Sequence, residues 1–309
     1  MAKHILIPSR ETLHGTFSKS YKPVLEIQSG DSVCITTLEA GWATDSFAAP
    51  DERVVICPRD QYRDAGHALC GPIAIHGAEP GMTLQVTINA IRTATWGWSS
   101  AGGFSSEVND RLGVAEGAEY FLQWQLDPVN KVGESNQGHT ATLKPFMGVM
   151  GMPPDEEGIH STAPPRYCGG NIDCKELVEG SILYLPVSVE SALFSVGDGH
   201  AAQGDGEVAG PALECAMDSV ELTLTLIEQR SLRYPYAKTP SGWITFGFHE
   251  SLNEATFIAL EGMQDLICEM SGMGRKEALA FASIHVDLRI TQIVNGVKGV
   301  HAVLPLNLL

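Results

Sequence analysis

Short runs of alternating apolar and polar residues, each next to a glycine-containing turn, characterise the chain up to about residue 250. The clearest run places Val220, Leu222, Leu224 and Leu226 on one face of a strand. Runs of the same kind predict further strands at 24–27, 32–36, 73–75, 84–88, 181–187, 192–196 and 243–248. The pattern predicts a mainly β, sandwich-like fold with several antiparallel strands.

The spacing of apolar residues becomes helical after Ser251. Ser251 followed three residues later by Glu254 is a capping-box pattern, which marks the start of a helix. A second helix is predicted at about 275–287, after a glycine-containing turn. The two helices are expected to form a helical subdomain at about 251–287 within a single domain that spans residues 1–309.

The segment 290–304 returns to strand-like alternation. Asn295-Gly296 lies between its two apolar runs and is a strong signal for a hairpin, because such turns need positive φ. The end of the chain is therefore expected to be a small α+β portion.

The segment 93–140 has the least regular pattern. Its stretch 96–104 combines two tryptophans with glycine and serine. Flexible linkers seldom carry such large side chains, so an ordered loop or lid is expected there.

The negative net charge of the chain argues against some classes of binding partner. The chain of 309 residues has 20 basic and 37 acidic residues, a formal net charge of −17. Such a surface repels nucleic acids and anionic membranes. No apolar run is long enough to span a bilayer, and the N-terminus has no cleavage signature. We therefore expect neither nucleic acid nor membrane as a partner.

The seven cysteines are odd in number and scattered, with no Cys-x-x-Cys pair. Reduced thiols in a cytoplasmic protein are the simplest interpretation. A homodimer is expected because closed two-fold dimers are the commonest oligomers.

The segment 196–207 has the densest concentration of chemistry in the chain. It contains three acids, one histidine and one glutamine among four glycines. Such a segment suits a site that gathers polar groups around an ion or a small polar substrate. A solvated loop is the alternative, since glycine and aspartate are common in turns.

Several motifs in the centre of the chain are distinctive. They are KPFMGVMG at 144–151, STAPP at 161–165, GGNID at 169–173, YLPV at 184–187 and ALFSVGDGHAAQGDGE at 192–207, followed by Glu214. Together with GPI at 71–73 and GAEPG at 77–81, they resemble the acetamidase/formamidase family over roughly residues 23–305.

The resemblance implies a β-rich fold and the hydrolysis of short carboxamides, such as formamide or acetamide, to a carboxylate and ammonia. Some relatives are similar to metal-binding proteins, so a divalent ion is an expected cofactor, with zinc and calcium both open. A small amide is then the expected partner. A non-catalytic protein that uses the same acidic segment to hold a cation, such as Ca²⁺, is the alternative.

Hydrolysis of an amide needs an activated nucleophile, a stabilised oxyanion and a proton for the leaving nitrogen. Asp198, His200 and Asp205 are the natural metal ligands by side-chain type, and His200 is also a candidate catalytic residue. Glu207 is the candidate general base and then acid, because a carboxylate in a partly dry pocket has a raised pKa. Gln203 is expected to hold the carbonyl oxygen or the nitrogen of the substrate.

Further candidates lie outside this segment. Asn171 and Asp173 are expected to form a second wall of the pocket that binds the substrate, the alternative being an Asx turn. Asp45 follows a predicted strand and is a candidate metal ligand, although acids in loops are usually solvated. Glu214 lies in an apolar stretch where an unpaired acid is costly to bury, which favours a ligand. Lys144 is a candidate partner for an oxyanion or carboxylate, the alternative being a solvated lysine.

Thiol chemistry has weaker support. Cys168 and Cys174 flank a glycine pair, but neither lies in a motif that activates a thiol. A cysteine nucleophile is therefore not expected.

Overall fold

The computed structural model describes residues 1–49, 52–54, 59–228 and 231–308, and Cys57 lies outside these residues. Strands make up most of the regular structure, and two large sheets contain nearly all of them. The mainly β prediction is confirmed.

The first sheet has nine strands, which pair mostly antiparallel. In spatial order they are β1 (Lys3–Leu6), β5 (Asp31–Thr37), β18 (Met217–Ile227), β7 (Thr83–Thr93), β15 (Ile182–Pro186), β19 (Tyr236–Thr239), β20 (Gly242–His249), β22 (Lys298–Leu304) and β21 (Asp287–Gln292). The predicted alternation holds in β18, where Val220, Leu222 and Leu224 are buried between less buried neighbours.

The second sheet has eleven strands and carries the polar segment. Its main path is β11 (Thr140–Thr142), β10 (Val132–Ser135), β9 (Tyr120–Asp127), β8 (Trp96–Ala101), β17 (Leu213–Glu214), β16 (Phe194–Ala202), β12 (Phe146–Gly151) and β14 (Gly169–Asn171). A branch pairs β6 (Leu69–Ile75) with β16, β2 (Leu13–His14) and β4 (Leu25–Ile27). A separate pair joins β3 (Thr16–Phe17) to β13 (His160–Ser161).

Three α-helices are present among the described residues. They are α1 (Glu107–Leu112), α2 (Leu252–Ser271) and α3 (Arg275–His285), with a short 3₁₀ turn at Leu306–Leu308. Helix α2 packs on β20 and β22 through a buried face that includes Ala255, Ala259 and Met263. The predicted C-terminal hairpin is confirmed as β21 and β22.

One apolar core is shared by the two large sheets. It includes Ile35 and Leu222 from the first sheet and Met147 and Val196 from the second. Both inner faces are therefore covered, which holds the strands of the second sheet in fixed register.

The local structure departs from the sequence predictions in two places. The stretch 96–104 is not a loop throughout, because residues 96–101 form β8 and pair with β9, and only 102–104 lie outside the strand. The solvated loop given as the alternative for the segment 196–207 is wrong for residues 197–202, because β16 continues as a largely buried strand to Ala202. The helix start predicted at Ser251 is confirmed, since Ser251 is the N-cap of α2, although its side chain makes no capping hydrogen bond.

Candidate functional site

Strand β16 brings Asp198 and His200 together in the middle of the second sheet. His200 lies opposite Glu214 of β17 on one side and opposite Phe146 of β12 on the other. Glycine makes this close packing possible, since a Cβ on Gly199 would lie 2.7 Å from the carbonyl oxygen of Cys215. Neighbouring backbone and apolar side chains, among them Met217 beside Gly199 and the Phe146 ring against His200, thus bury this part of the strand.

His200 is the centre of a group of buried acids. Its Nε2 atom lies 3.4 Å from Oδ1 of Asp198 and 3.3 Å from Oε1 of Glu214. Its Nδ1 atom lies 4.0 Å from Oδ1 of Asp173. These four side chains, together with Glu207, are almost fully shielded from solvent.

Gln203 fixes the orientation of the imidazole. Its Nε2 donates to the backbone carbonyl of Asp173 at 2.8 Å, so its Oε1 is the atom that faces Nδ1 of His200 at 2.9 Å. An amide oxygen only accepts hydrogen bonds, so Nδ1 carries the proton. Nε2 of His200 is therefore directed at Asp198 and Glu214.

A residue distant in sequence, Asn295, holds the side chain of Asp173. Nδ2 of Asn295, in the turn between β21 and β22, donates to Oδ2 of Asp173 at 2.6 Å. The other oxygen, Oδ1, is buried and has no hydrogen-bond partner among the described residues. The same holds, within that part of the chain, for Oε2 of Glu207, Oε2 of Glu214 and Oδ1 of Asn171. Four buried acceptor atoms thus lack a donor, which is unusual in a folded protein.

Three of the four acids have left-handed backbone conformations. The φ angles are 51° at Asp173, 60° at Asp198 and 46° at Glu207. Such angles are uncommon for residues other than glycine and tend to concentrate at functional sites.

Burial shifts most of these carboxyl groups toward the protonated form. It raises the pKa of Glu207 well above its usual value, and the charge of Asp173 adds to the effect. It also raises the pKa of Asp173 to about 7 and raises that of Glu214. The site therefore contains one acid, Asp173, with a pKa near neutral pH, and two more whose pKa values burial raises.

Asp198 and His200 behave as an ion pair. Burial opposes ionisation of Asp198, but His67 and His200 outweigh it and lower its pKa to about 2. Burial likewise opposes protonation of His200, but Glu214 and Asp198 raise its pKa well above the usual range. Without a cation in the cluster, the imidazolium supplies the balancing positive charge.

A cavity of about 290 Å³ opens onto the acids. Its walls include Asn171, Asp198, His200, Glu207 and Glu214, and the remaining residues are Ala40, His67, Trp98, Phe104, Gly210, Pro211 and Asn295. A larger cavity of about 1020 Å³ elsewhere is lined by Lys144, Lys175 and Arg289 but by none of the four acids. The smaller cavity is therefore the candidate active site.

Gly148 of β12 forms the floor of the cluster. A Cβ on this residue would lie 2.5 Å from Oδ2 of Asp198 and 2.6 Å from Oδ1 of Asp173. Its carbonyl oxygen also accepts from the backbone N–H of Asp173 at 3.2 Å. Only glycine leaves room for the carboxylates at this position.

The structure brings together seven of the residues selected from the sequence and separates three others. One connected group contains Asn171, Asp173, Asp198, His200, Gln203, Glu207 and Glu214. Asp45 is exposed and accepts from the N–H of Ser46. Asp205 turns away and pairs with Lys175 at 3.0 Å, while Lys144 is exposed and lines the larger cavity.

Sequence reasoning missed His67, Gly148 and Asn295. His67 lies two residues before the buried strand β6, and a polar residue just ahead of an apolar run is a weak signal for a site. Gly148 lies inside the distinctive motif at 144–151, but nothing in the sequence indicates which glycine faces the acids. Asn295 was interpreted only as a turn residue.

No helix in the described part of the chain combines the length and apolar character that crossing a bilayer requires. The cysteines of the described residues are free thiols: Cys34, Cys70, Cys168, Cys174, Cys215 and Cys268.

Comparisons with known proteins agree with the motifs. A model of the acetamidase/formamidase family matches residues 5–161 and 155–307. The chain is 28% identical over 194 residues to the formamidase of Methylophilus methylotrophus, covering 46% of this chain and 47% of that protein. It is 27% identical over 198 residues to the acetamidase of Mycolicibacterium smegmatis, covering 46% and 49%. The chain spans 47% to 60% of the length of the curated relatives it matches.

The fold also matches a solved structure along nearly its whole length. That structure is described as a predicted acetamidase/formamidase from the thermophile Thermoanaerobacter tengcongensis. The TM-score is 0.84 at 29% identity, and the match covers 99% of this chain and 96% of that one.

Proposed function

The chain belongs to the acetamidase/formamidase family, and on this premise we propose that it hydrolyses short linear carboxamides to a carboxylate and ammonia. The observation that supports this most is the group of buried acids around His200 at a cavity of about 290 Å³. Ligand cavities in proteins range from about 300 to 1,000 Å³, so this volume suits a very small substrate. Formamide and acetamide are substrates of that size.

The donor atoms of the cluster fit a divalent cation. One atom from each of Asp198, His200 and Glu214 lies within 4.8 Å of the others, and Oε2 of Glu214 lacks a partner among the residues described. Gln203 leaves Nε2 of His200 directed at the same point. An imidazole nitrogen with two carboxylates suits zinc better than calcium, which prefers oxygen ligands alone. A bound ion there would supply Lewis acidity toward the substrate carbonyl and toward water.

Glu207 is proposed to carry the proton during hydrolysis. Its pKa is raised by burial, and its Oε2 atom has no partner within the described ranges. A carboxylate in this environment removes a proton from the attacking water and returns it to the leaving nitrogen. The positive φ of Glu207 holds the side chain at the cavity wall.

Asn171 is proposed to orient the substrate nitrogen. Its Nδ2 donates to the carbonyl of Ala163 at 3.1 Å, which leaves Oδ1 at the cavity wall as an acceptor. A primary carboxamide presents N–H donors that such an acceptor binds. Gln203 is proposed as a positioning residue instead, since both of its polar atoms hold Asp173 and His200.

The first experiment is ammonia release from formamide, acetamide and longer amides by the purified full chain. The assay is repeated after chelation and after addition of Zn²⁺ or Ca²⁺. We expect turnover of the smallest amides, lost on chelation and restored by zinc. Thermal stabilisation by a cation with no hydrolysis of any amide would instead support a non-catalytic cation-binding protein.

Glu207→Gln tests the proton carrier. We expect kcat to fall by about 10²- to 10⁴-fold, the usual contribution of general acid–base catalysis. Asp205→Asn is the matched control, because this acid lies in the same segment but pairs with Lys175 at the surface. Equal activity of Glu207→Gln and the unmodified chain would contradict the assignment.

The expected homodimer and cytoplasmic location remain proposals. Sedimentation equilibrium of the purified chain tests the first. The free thiols of the described residues are compatible with a reducing compartment. Imaging of a tagged chain in its own cell tests the location.

A further inference from the structure

A second group of ligand-type side chains lies outside the cavity of the proposed active site. It consists of Cys174, Glu176 and His301, all buried, with one ligand atom of each within 4.8 Å of the others. Cys174 and Glu176 lie in a turn closed by the hydrogen bond from the N–H of Leu177 to the carbonyl of Cys174. His301 lies on strand β22 of the first, nine-stranded sheet.

The imidazole of His301 has an unused nitrogen aimed at this group. The side chain is only 1% exposed, and its Nε2 atom has no hydrogen-bond partner in the described part of the chain. That atom lies 3.4 Å from Oε2 of Glu176. A buried nitrogen without a partner is costly, which indicates that a ligand completes the arrangement.

Two of the three distances between the ligand atoms match a tetrahedral site, and the third is within 4.8 Å. Sγ of Cys174 lies 3.3 Å from the same Oε2 atom of Glu176 that faces His301. Bonds of about 2.0 Å to nitrogen or oxygen and about 2.3 Å to sulfur place tetrahedral ligands about 3.3 to 3.5 Å apart. The two measured edges therefore need little adjustment around a zinc-sized ion.

The surrounding residues hold the ligands as in known metal sites. Nδ1 of His301 lies 2.8 Å from Oγ1 of the buried Thr291, which leaves Nε2 for a ligand. Nη1 of Arg289 donates to Oε1 of Glu176 at 2.7 Å and so leaves Oε2 directed at the cluster. Glu176 also lines the cavity of about 1020 Å³, which provides an entry path from solvent.

We propose that Cys174, Glu176 and His301 form a second metal site, which takes a thiophilic divalent cation of the zinc class. Sulfur, imidazole and carboxylate are the ligands that zinc combines, and the fourth position is left to water. On binding, the ion replaces the thiol proton of Cys174, which passes to solvent. This site is separate from the proposed centre of hydrolysis, so it goes beyond the function proposed above.

The site has a structural consequence. Cys174 directly follows Asp173, so an ion there would tie the loop that carries Asp173 to strand β22. A three-ligand clip of this kind stabilises the folded chain by binding it and not the unfolded chain.

Cobalt provides the test, because thiolate ligation to Co²⁺ produces a near-ultraviolet charge-transfer absorption that oxygen and nitrogen ligands do not. The metal-free full chain is titrated with Co²⁺, and Zn²⁺ is then added to displace it. We expect the charge-transfer band in the unmodified chain, its loss in Cys174→Ser and its displacement by Zn²⁺.

Three variants separate this site from the cluster around His200. Asp198→Asn and Cys215→Ser, which alter or adjoin that cluster, are expected to keep the band. His301→Gln retains the thiol and is expected to weaken Co²⁺ binding at least tenfold. This variant tests the proposed site even if Cys174→Ser does not fold. A folded, unmodified chain with no band, a band that survives in Cys174→Ser, or an unchanged affinity in His301→Gln would each overturn the proposal.

Discussion

At the scale of single residues, the site depends on acids whose charges are balanced by few partners. Asp173, Glu207 and Glu214 have raised pKa values because they are buried together, and Asp198 is ionised by its pairing with histidines. The folded chain therefore bears an electrostatic cost that a bound cation or a proton relieves.

Asp173→Asn tests that cost. Folding raises the pKa of Asp173 from 3.8 to about 7, so the folded state binds its proton more tightly than the unfolded chain does. The free energy of unfolding of the metal-free chain therefore falls as pH rises through this interval. We expect Asp173→Asn to be more stable than the unmodified chain at pH 8, by at least about 1 kcal/mol or roughly 2 °C in Tm.

At pH 4 the difference is expected to vanish, because Asp173 is protonated in the folded chain. Thermal denaturation at the two pH values measures the effect, with Asp205→Asn as the exposed control. A variant that is less stable than the unmodified chain at pH 8 would contradict the assignment.

Gly148→Ala tests the floor of the site. The added Cβ would displace the carboxylates of Asp198 and Asp173, so we expect kcat/KM for amides to fall at least about 100-fold. Overpacking is also expected to cost about 1 to 3 kcal/mol of stability. Gly204→Ala is the control, because a Cβ there meets no atom within 4 Å. Comparable losses in both variants would show that the effect is not local to the floor.

At the scale of elements, the sequence predicted strands with apolar alternation but not those built from glycine. The alternation of Val220, Leu222 and Leu224 is visible because side chains cover β18. In β16, Gly197 and Gly199 leave room for the backbone and side chains of neighbouring strands, so no apolar side chains of the strand itself mark these positions. Polar composition therefore marked this segment as a candidate site, but it did not indicate that residues 197–202 continue a strand.

The composition of the site was predictable only in part for a related reason. Residue types selected Asp198, His200, Glu207 and Glu214, which share one short stretch of sequence. They did not reveal that Asp205 turns toward Lys175, because residue type alone does not fix the direction of a side chain in a turn. The pairing of Asn295 with Asp173 joins residues 122 positions apart and depends on the packing of two sheets.

The contact between α2 and the first sheet provides a paired test with opposite signs. A Cβ on Gly247 of β20 would overlap the carbonyl oxygen of Ala255, so Gly247→Ala is expected to lower stability by about 1 to 3 kcal/mol. A Cβ on Gly262 of α2 meets Thr245 at an ordinary 3.4 Å, so Gly262→Ala is expected to add about 0.5 to 1 kcal/mol. Denaturant unfolding of both variants measures the two changes, and shifts of the same sign would contradict the packing argument.

At the scale of the whole molecule, the apolar core joins both sheets, and the helices share strands β20 and β22 with it. Phe246 and Val303 belong to the core between the sheets, while Ala302 and Leu304 pack with α2 and α3. We propose that the helical segment is a part of one domain, as the sequence predicts.

The corresponding expectation is a single cooperative unfolding transition. Helical ellipticity and tryptophan fluorescence of the metal-free chain should change with the same midpoint, and the calorimetric enthalpy should equal the van't Hoff enthalpy. Separate midpoints for the helical and strand signals would show that α2 and α3 unfold as an independent unit.

The hydrogen bond from Asn295 to Asp173 has a consequence for how the protein is made. Asp198, His200 and Glu214 have left the ribosome well before the turn at Asn295 is synthesised. Until that turn emerges, Asp173 has no donor for its Oδ2 atom, and the strand that carries His301 is also missing. The nascent chain therefore completes the described arrangement around Asp173 only after the segment through Asn295 has emerged from the ribosome.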